Sequence, residues 1–111
     1  MSQLDEVLTR CKAQMEEHGI ELDEALLTSI AKSLGPSIYS ADGLVVASSD
    51  EAEMATVHAF AADKLGAEAS VAEEAVAKAV ETLGSGNRQK LRPVVYYLIT
   101  RSLGRESVFS G

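Results

Sequence analysis

The chain has 111 residues, 46% hydrophobic and 24% charged, with a net charge of −7 and a single cysteine. That length suits one domain spanning 1–111, the apolar fraction argues against disorder, and one cysteine excludes an internal disulfide. No apolar run nears the roughly 20 residues of a membrane-spanning helix, and the acid-bearing start MSQLDEVLTR lacks a secretory pattern, so no membrane association and a cytoplasmic location are expected.

Helical periodicity starts at once. Leu4, Val7, Leu8, Cys11 and Met15 recur at three- and four-residue steps behind Ser2, which with Asp5 forms an imperfect capping box. Cys11 lies on that apolar face and is expected to be buried and inert. Gly19 ends the helix after His18. A second helix is expected over 23–34, capped by Asp23, with Leu26, Leu27, Ile30 and Leu34 inward. Gly35-Pro36 stops it. The linker at 19–22 is short, so these two helices should be antiparallel neighbours.

Residues 36–49 read less regularly. Pro36 suits a short helical turn carrying Ile38 and Tyr39, Asp42-Gly43 signals a turn, and Leu44-Val45-Val46-Ala47 is strand-like. With no other strand in the chain to pair with, a buried extended or single-turn connector is expected. A third helix starts clearly at Asp50, which stands three residues before Glu53 at capping-box spacing. Its face is Met54, Val57, Phe60, Ala61 and Leu65, and Gly66 ends it. Ser70 and Glu73 repeat the device for a fourth helix, whose face of Val76, Val80, Leu83 and three alanines ends at Gly84.

Asn87 is a candidate cap for a helix from Arg88, but Pro93 fits a first turn better. An irregular turn over 88–92 and a helix over 93–103 are therefore expected. Val94, Val95, Tyr97, Leu98 and Ile99 make that helix apolar nearly all round, which suits the middle of a bundle or half of a dimer interface. Residues 105–111 form a tail in which Val108 and Phe109 can dock. The fold class is an all-α bundle of about five helices with the hydrophobic C-terminal helix at its centre.

Chemical groups are sparse. Cys11 and His18 stand about 10.5 Å apart along a helix and cannot share an ion, and neither a paired-histidine nor a CxxC motif occurs. No metal or cofactor is expected. Ser29 and Lys32 have S-x-x-K spacing without its companion motifs. Charge is the stronger signal. Residues 1–84 hold sixteen acids against five bases, and residues 85–111 hold five bases against one acid. The overall acidity disfavours nucleic acid as a partner. The exception is the turn Gly84-Ser-Gly-Asn-Arg-Gln-Lys90, where Arg88, Lys90 and Arg92 are candidates to bind an anion, nucleotide, RNA or acidic partner. Pairing of those cations with the domain's own acids is the plainer alternative. Adjacent tyrosines Tyr96 and Tyr97 diverge by about 100° on a helix, so one is expected in the core and the other at an edge or interface. Asp42, Asp50 and Asn87 are candidate structural polar residues. A small enzyme using Asp42 or Asp50 with Tyr39 or an arginine is a third reading, and catalysis is not favoured.

Two segments, DGLVVASSDEAE at 42–53 and NRQKLRPVVYYL at 87–98, with a helix ending Lys64-Leu65-Gly66 between them, resemble a family of short bacterial proteins of unknown function. The resemblance covers most of the chain from Leu34 onward. It implies a small bacterial helical protein and brings no activity, cofactor or catalytic residue. The function expected is a non-enzymatic protein-interaction or self-associating module, with a protein partner or a second copy of the chain.

Overall fold

In the computed structural model, residues 2–84 and 86–109 are described, Ala41 and Asp42 by their backbone only. Five long helices form an all-α bundle: α1 (Gln3–Glu17), α2 (Glu24–Leu34), α4 (Glu51–Ala59), α5 (Ala69–Leu83) and α6 (Arg92–Leu103). A single-turn helix, α3 (Ala41–Leu44), lies between α2 and α4. Among the described residues the only β pairing is one antiparallel bridge, Val45 to Leu91.

Local signals set most boundaries. Ser2 accepts the Asp5 N–H at 3.1 Å, and Asp23 accepts that of Leu26 at 3.1 Å. Asp50 Oδ1 accepts from Ala52 at 2.9 Å and Glu53 at 3.2 Å. Each satisfies amide groups that a helix start leaves without a partner. The glycines of the four Leu-Gly pairs, Gly35, Gly66, Gly84 and Gly104, all take positive φ, the conformation that lets a chain leave a helix.

Other boundaries differ from expectation. Helix α5 begins at Ala69 behind Glu68, with no side-chain cap, so Ser70 lies inside the helix and does not cap it. After Ala59 the α4 ladder widens into a π-helical stretch, Phe60–Lys64, closed by Leu65 N–H on the Phe60 carbonyl at 3.2 Å. The run at 44–47 does find a pairing partner. Residues just before α6 are extended, and Val46 N–H donates to the Lys90 carbonyl at 2.8 Å. The far side of that extended stretch is completed by a side chain: Gln14 of α1 donates to the Gln89 carbonyl at 2.6 Å and accepts the Leu91 N–H at 3.1 Å. A single amide thus replaces a neighbouring strand.

Helix α6 is the centre of the core. Val94, Val95 and Ile99 are fully buried, and α1, α2 and α5 pack around it. Leu98, expected inside, is half-buried. Most of the apolar circumference of α6 is covered by the chain's own helices, in keeping with a place at the centre of the bundle. Both tyrosines are buried, Tyr96 at 3% exposure and Tyr97 at 1%, which corrects the expectation of one at an edge. They can be adjacent and buried because α6 is enclosed on several sides. Tyr96 stacks on Phe60 with centroids 4.0 Å apart. Tyr97 reaches the α1–α2 linker, where its hydroxyl donates to the Glu21 carbonyl at 2.6 Å and accepts the Asp23 N–H at 2.8 Å. Of the two expected tail anchors, Phe109 docks, beside Phe60 at 6.2 Å, while Val108 stays 39% exposed.

The Tyr97 hydroxyl holds the turn between α1 and α2 against the central helix. Tyr97→Phe removes both bonds and keeps the ring, leaving a carbonyl and an N–H to find other partners. Urea unfolding should show a loss of about 1–3 kcal/mol with an unchanged slope. An unchanged midpoint would mean that water replaces the hydroxyl at no cost.

Candidate functional site

The basic turn and the start of α6 divide into an inner and an outer part. Asn87 does not cap a helix from Arg88. Its side-chain amide donates to the Leu83 carbonyl at 3.0 Å, closing the end of α5, and its Oδ1 accepts the Gln89 N–H at 2.8 Å. That second bond is an Asx turn, which aims the chain into the extended stretch before α6. Pro93 then occupies the first turn of α6, where its missing N–H costs no helical bond.

Arg92, at the first helical position, is only 8% exposed. Its Nε donates to the Gly43 carbonyl at 2.6 Å, Nη1 to the Tyr96 hydroxyl at 3.4 Å, and Nη2 to Glu53 as an ion pair and to the Val45 carbonyl at 3.5 Å. A fixed planar fork meets acceptors from three segments, a use to which lysine is poorly suited. Glu53 therefore does not complete a capping box by reaching back to Asp50. The Asp50 N–H donates to the Ala47 carbonyl at 3.1 Å instead. Gly43 is fixed by close approach, since a Cβ there would stand 1.8 Å from the Ser37 carbonyl oxygen. A side chain at 43 would push away the carbonyl that receives Arg92.

Lys90 is 1% exposed. Its ammonium donates to Ser48 Oγ at 3.2 Å and to the Asn87 carbonyl. Burial pushes its pKa below the usual lysine value of 10.5. Arg88 differs from both. It is exposed, and no hydrogen bond or ion pair joins it to the described residues. It lines an open groove of about 510 Å³ together with residues 45–49, Gly86 and Asn87. A second groove, of about 540 Å³, continues from Ser48 and Ser49 over Met54, Ala77, Val80 and Glu81. Of the three candidate cations, two are engaged inside the fold and one faces solvent at a concavity.

The remaining candidates are structural in placement. Asp50 caps α4. The backbone of Asp42 lies in α3, and its side chain is outside the described residues. Tyr39 is 39% exposed beside a different surface groove, with Arg10 and Ser40. His58 Nδ1 bonds the Met54 carbonyl at 2.8 Å within its own helix, which requires the proton on Nδ1. Among the described residues no three His, Cys, Asp or Glu side chains gather as a metal site, and no helix is long and apolar enough to cross a membrane. Sequence reasoning missed Gln14, Ser48 and Gly43. Gln14 and Ser48 have no local signal, because their partners lie 75 and 42 residues away. Gly43 was legible only as part of a turn.

This geometry defines a small all-α bundle whose buried cations tie a connector to its central helix. A family model described as "Protein of unknown function (DUF2853)" matches residues 10–107, and the chain belongs to that family. No curated protein matches the sequence.

Two measurements test these assignments. Glu53→Ala leaves the Arg92 charge without its carboxylate and should cost about 1.5–3 kcal/mol in chemical unfolding, whereas Glu51→Ala, exposed and two residues earlier in the same turn, should stay within about 0.5 kcal/mol of the parent. Equal effects would remove the ion pair from the account. Cys11 is fully buried, and burial pushes its thiol from 9.0 up to about 12. The folded state therefore holds its proton more tightly than the unfolded state. The stability this gives is complete below pH 9 and is lost as the pH rises toward about 12. At pH 8, labelling by iodoacetamide should follow global unfolding, rising with urea in step with loss of helix. Rapid labelling of the folded protein would contradict the burial.

Proposed function

We propose that the chain is a non-enzymatic interaction module, folding as one domain in the bacterial cytoplasm, that docks a protein segment in the two adjoining grooves around Ser48 and Ser49. One observation carries this reading. The concave surface at 45–49 continues onto the outer side of α5 and combines apolar floor, from half-buried Met54 and Val80, with a free cation at one end and Glu81 at the other. Such a mix of apolar area and a few charged groups suits recognition of a protein segment. The chemically capable groups of the basic turn and α6, Lys90, Arg92, Tyr96 and Tyr97, hold the fold together, which favours binding over turnover. A cytoplasmic setting fits the unpaired thiol, and a bacterial one rests on the family resemblance of the two segments.

The test is a photo-cross-linking residue placed at Ala77 in the groove or, as a control, at exposed Glu17 on α1, with irradiation in the cells that make the protein. A discrete adduct from Ala77 and none from Glu17 is expected. An adduct of twice the chain mass would identify a second copy as the partner. No adduct from Ala77, or the same adducts from both positions, would count against the grooves.

A further inference from the structure

The groove beside Arg88 has a polarity that its exposed side chains alone do not reveal. Ser48 lines both grooves. Lys90 stands directly behind it, with its ammonium on Ser48 Oγ at 3.2 Å. An ammonium only donates, so it takes an acceptor lone pair of Ser48 and leaves the serine's own proton to be donated elsewhere. No described protein group accepts that proton. The Ser48 O–H is therefore available to the groove, polarised by a buried positive charge one hydrogen bond away. Arg88, exposed and unpaired, stands in the same groove, and Ser49 adds a second hydroxyl. Residues 45–49 and 86–88 line the groove, and none of these is a carboxylate. In a chain of net charge −7, this concavity presents one exposed cation and two hydroxyls, with a second cation buried behind it and no acid among its described lining residues.

We infer that this groove is a carboxylate subsite: it takes an acidic side chain of the docked segment, with Arg88 and the Ser48 hydroxyl as donors and Lys90 as the charge behind them. This rests on the proposed docking role and names what the partner must bring. The segment carries an Asp or Glu at the Arg88 end and apolar side chains that lie over Met54, Ala77 and Val80 in the continuing groove. A guanidinium is the natural partner for a planar carboxylate, and the neighbouring Glu81 disfavours a segment that is acidic throughout. Ser48 and Arg88 are binding residues in this scheme, and Lys90 is a positioning residue.

The experiment is a titration of isotope-labelled protein followed by amide chemical shifts, with three probes: the blocked tripeptide acetyl-Leu-Ala-Glu-amide, its Gln counterpart, and inorganic phosphate. The Glu peptide should shift residues 47–49 and 86–88 and bind at least tenfold more tightly than the Gln peptide. Arg88→Ala should weaken it at least fivefold, with helix content unchanged because Arg88 is exposed. Ser48→Ala should weaken it to a similar extent. Equal binding of the Glu and Gln peptides, shifts elsewhere on the surface, or no effect of Arg88→Ala would overturn the subsite. Tighter binding of phosphate than of the Glu peptide would overturn the carboxylate in favour of a phosphate ligand. The two proposals fail separately. A groove adduct in cells whose yield is unchanged by Arg88→Ala leaves docking standing and removes the subsite. Glu-selective binding without any cellular adduct does the reverse.

Discussion

The burial of Arg92 is the constraint on which the arrangement depends. A guanidinium cannot shed its proton in a protein, so burying it obliges the surroundings to supply acceptors. Here the acceptors come from Gly43, Val45, Glu53 and Tyr96. Tyr96 lies on α6 itself, but the other three are in reach only when the connector at 41–49 and the start of α4 lie against the first turn of α6. The same register sets Val46 against Lys90 and Val45 against Leu91. Without those acceptors the charge would be stranded, a penalty of the same order as the stability of a small domain. Arg92 therefore contributes to specificity of arrangement as well as to stability.

What was legible in the sequence follows from how far each signal reaches. Asp23 and Asp50 cap as expected because a cap acts on amides two or three residues away. The terminating glycines and Pro93 also act locally. The inward faces of α1 and α2 followed from periodicity. The failures are of longer range. Glu53 had the right spacing for a capping box, yet an arginine 39 residues away takes it. Asn87 had the chemistry of an N-cap and closes the preceding helix instead. The valine run looked partnerless because its partner is two residues of an otherwise unclassified turn, and Gln14 supplies the remaining bonds from a helix surface. The π-helical stretch had no sequence signature at all. It coincides with Phe60, whose ring must meet both Tyr96 and Phe109.

The charge asymmetry between the two parts of the chain was the most informative functional signal, and its meaning is mixed. Arg92 answers the acidic excess from inside the fold, by pairing with Glu53. Lys90 is also inside, and its partners include a hydroxyl and a carbonyl. Its lowered pKa agrees with that: desolvation acts against the ammonium. The sign is opposite to that of Cys11. The unfolded state binds the lysine proton more tightly, so stability from this group rises as pH climbs through its folded pKa toward 10.5. Loss of the thiol proton acts the other way above pH 9. The fold thus carries two buried titrating groups with opposed effects in the alkaline range.

Burying two cations also changes the outside of the molecule. With Lys90 inside and Arg92 paired with Glu53, the exposed charged side chains are predominantly acidic. Long-range repulsion then works against approach of an acidic partner from most directions, within a screening distance of about 8–10 Å at ordinary salt. The exception is the concavity where Arg88 remains outside and Lys90 lies just beneath a serine. A buried charge there is screened less than an exposed one, so its field persists in the groove at salt concentrations that mask surface lysines. Orientation of a partner, more than its raw affinity, would be set by that contrast. On the proposed docking surface an acidic residue would gain at one end only, and the apolar positions that follow it would be set by the course of the groove along α5.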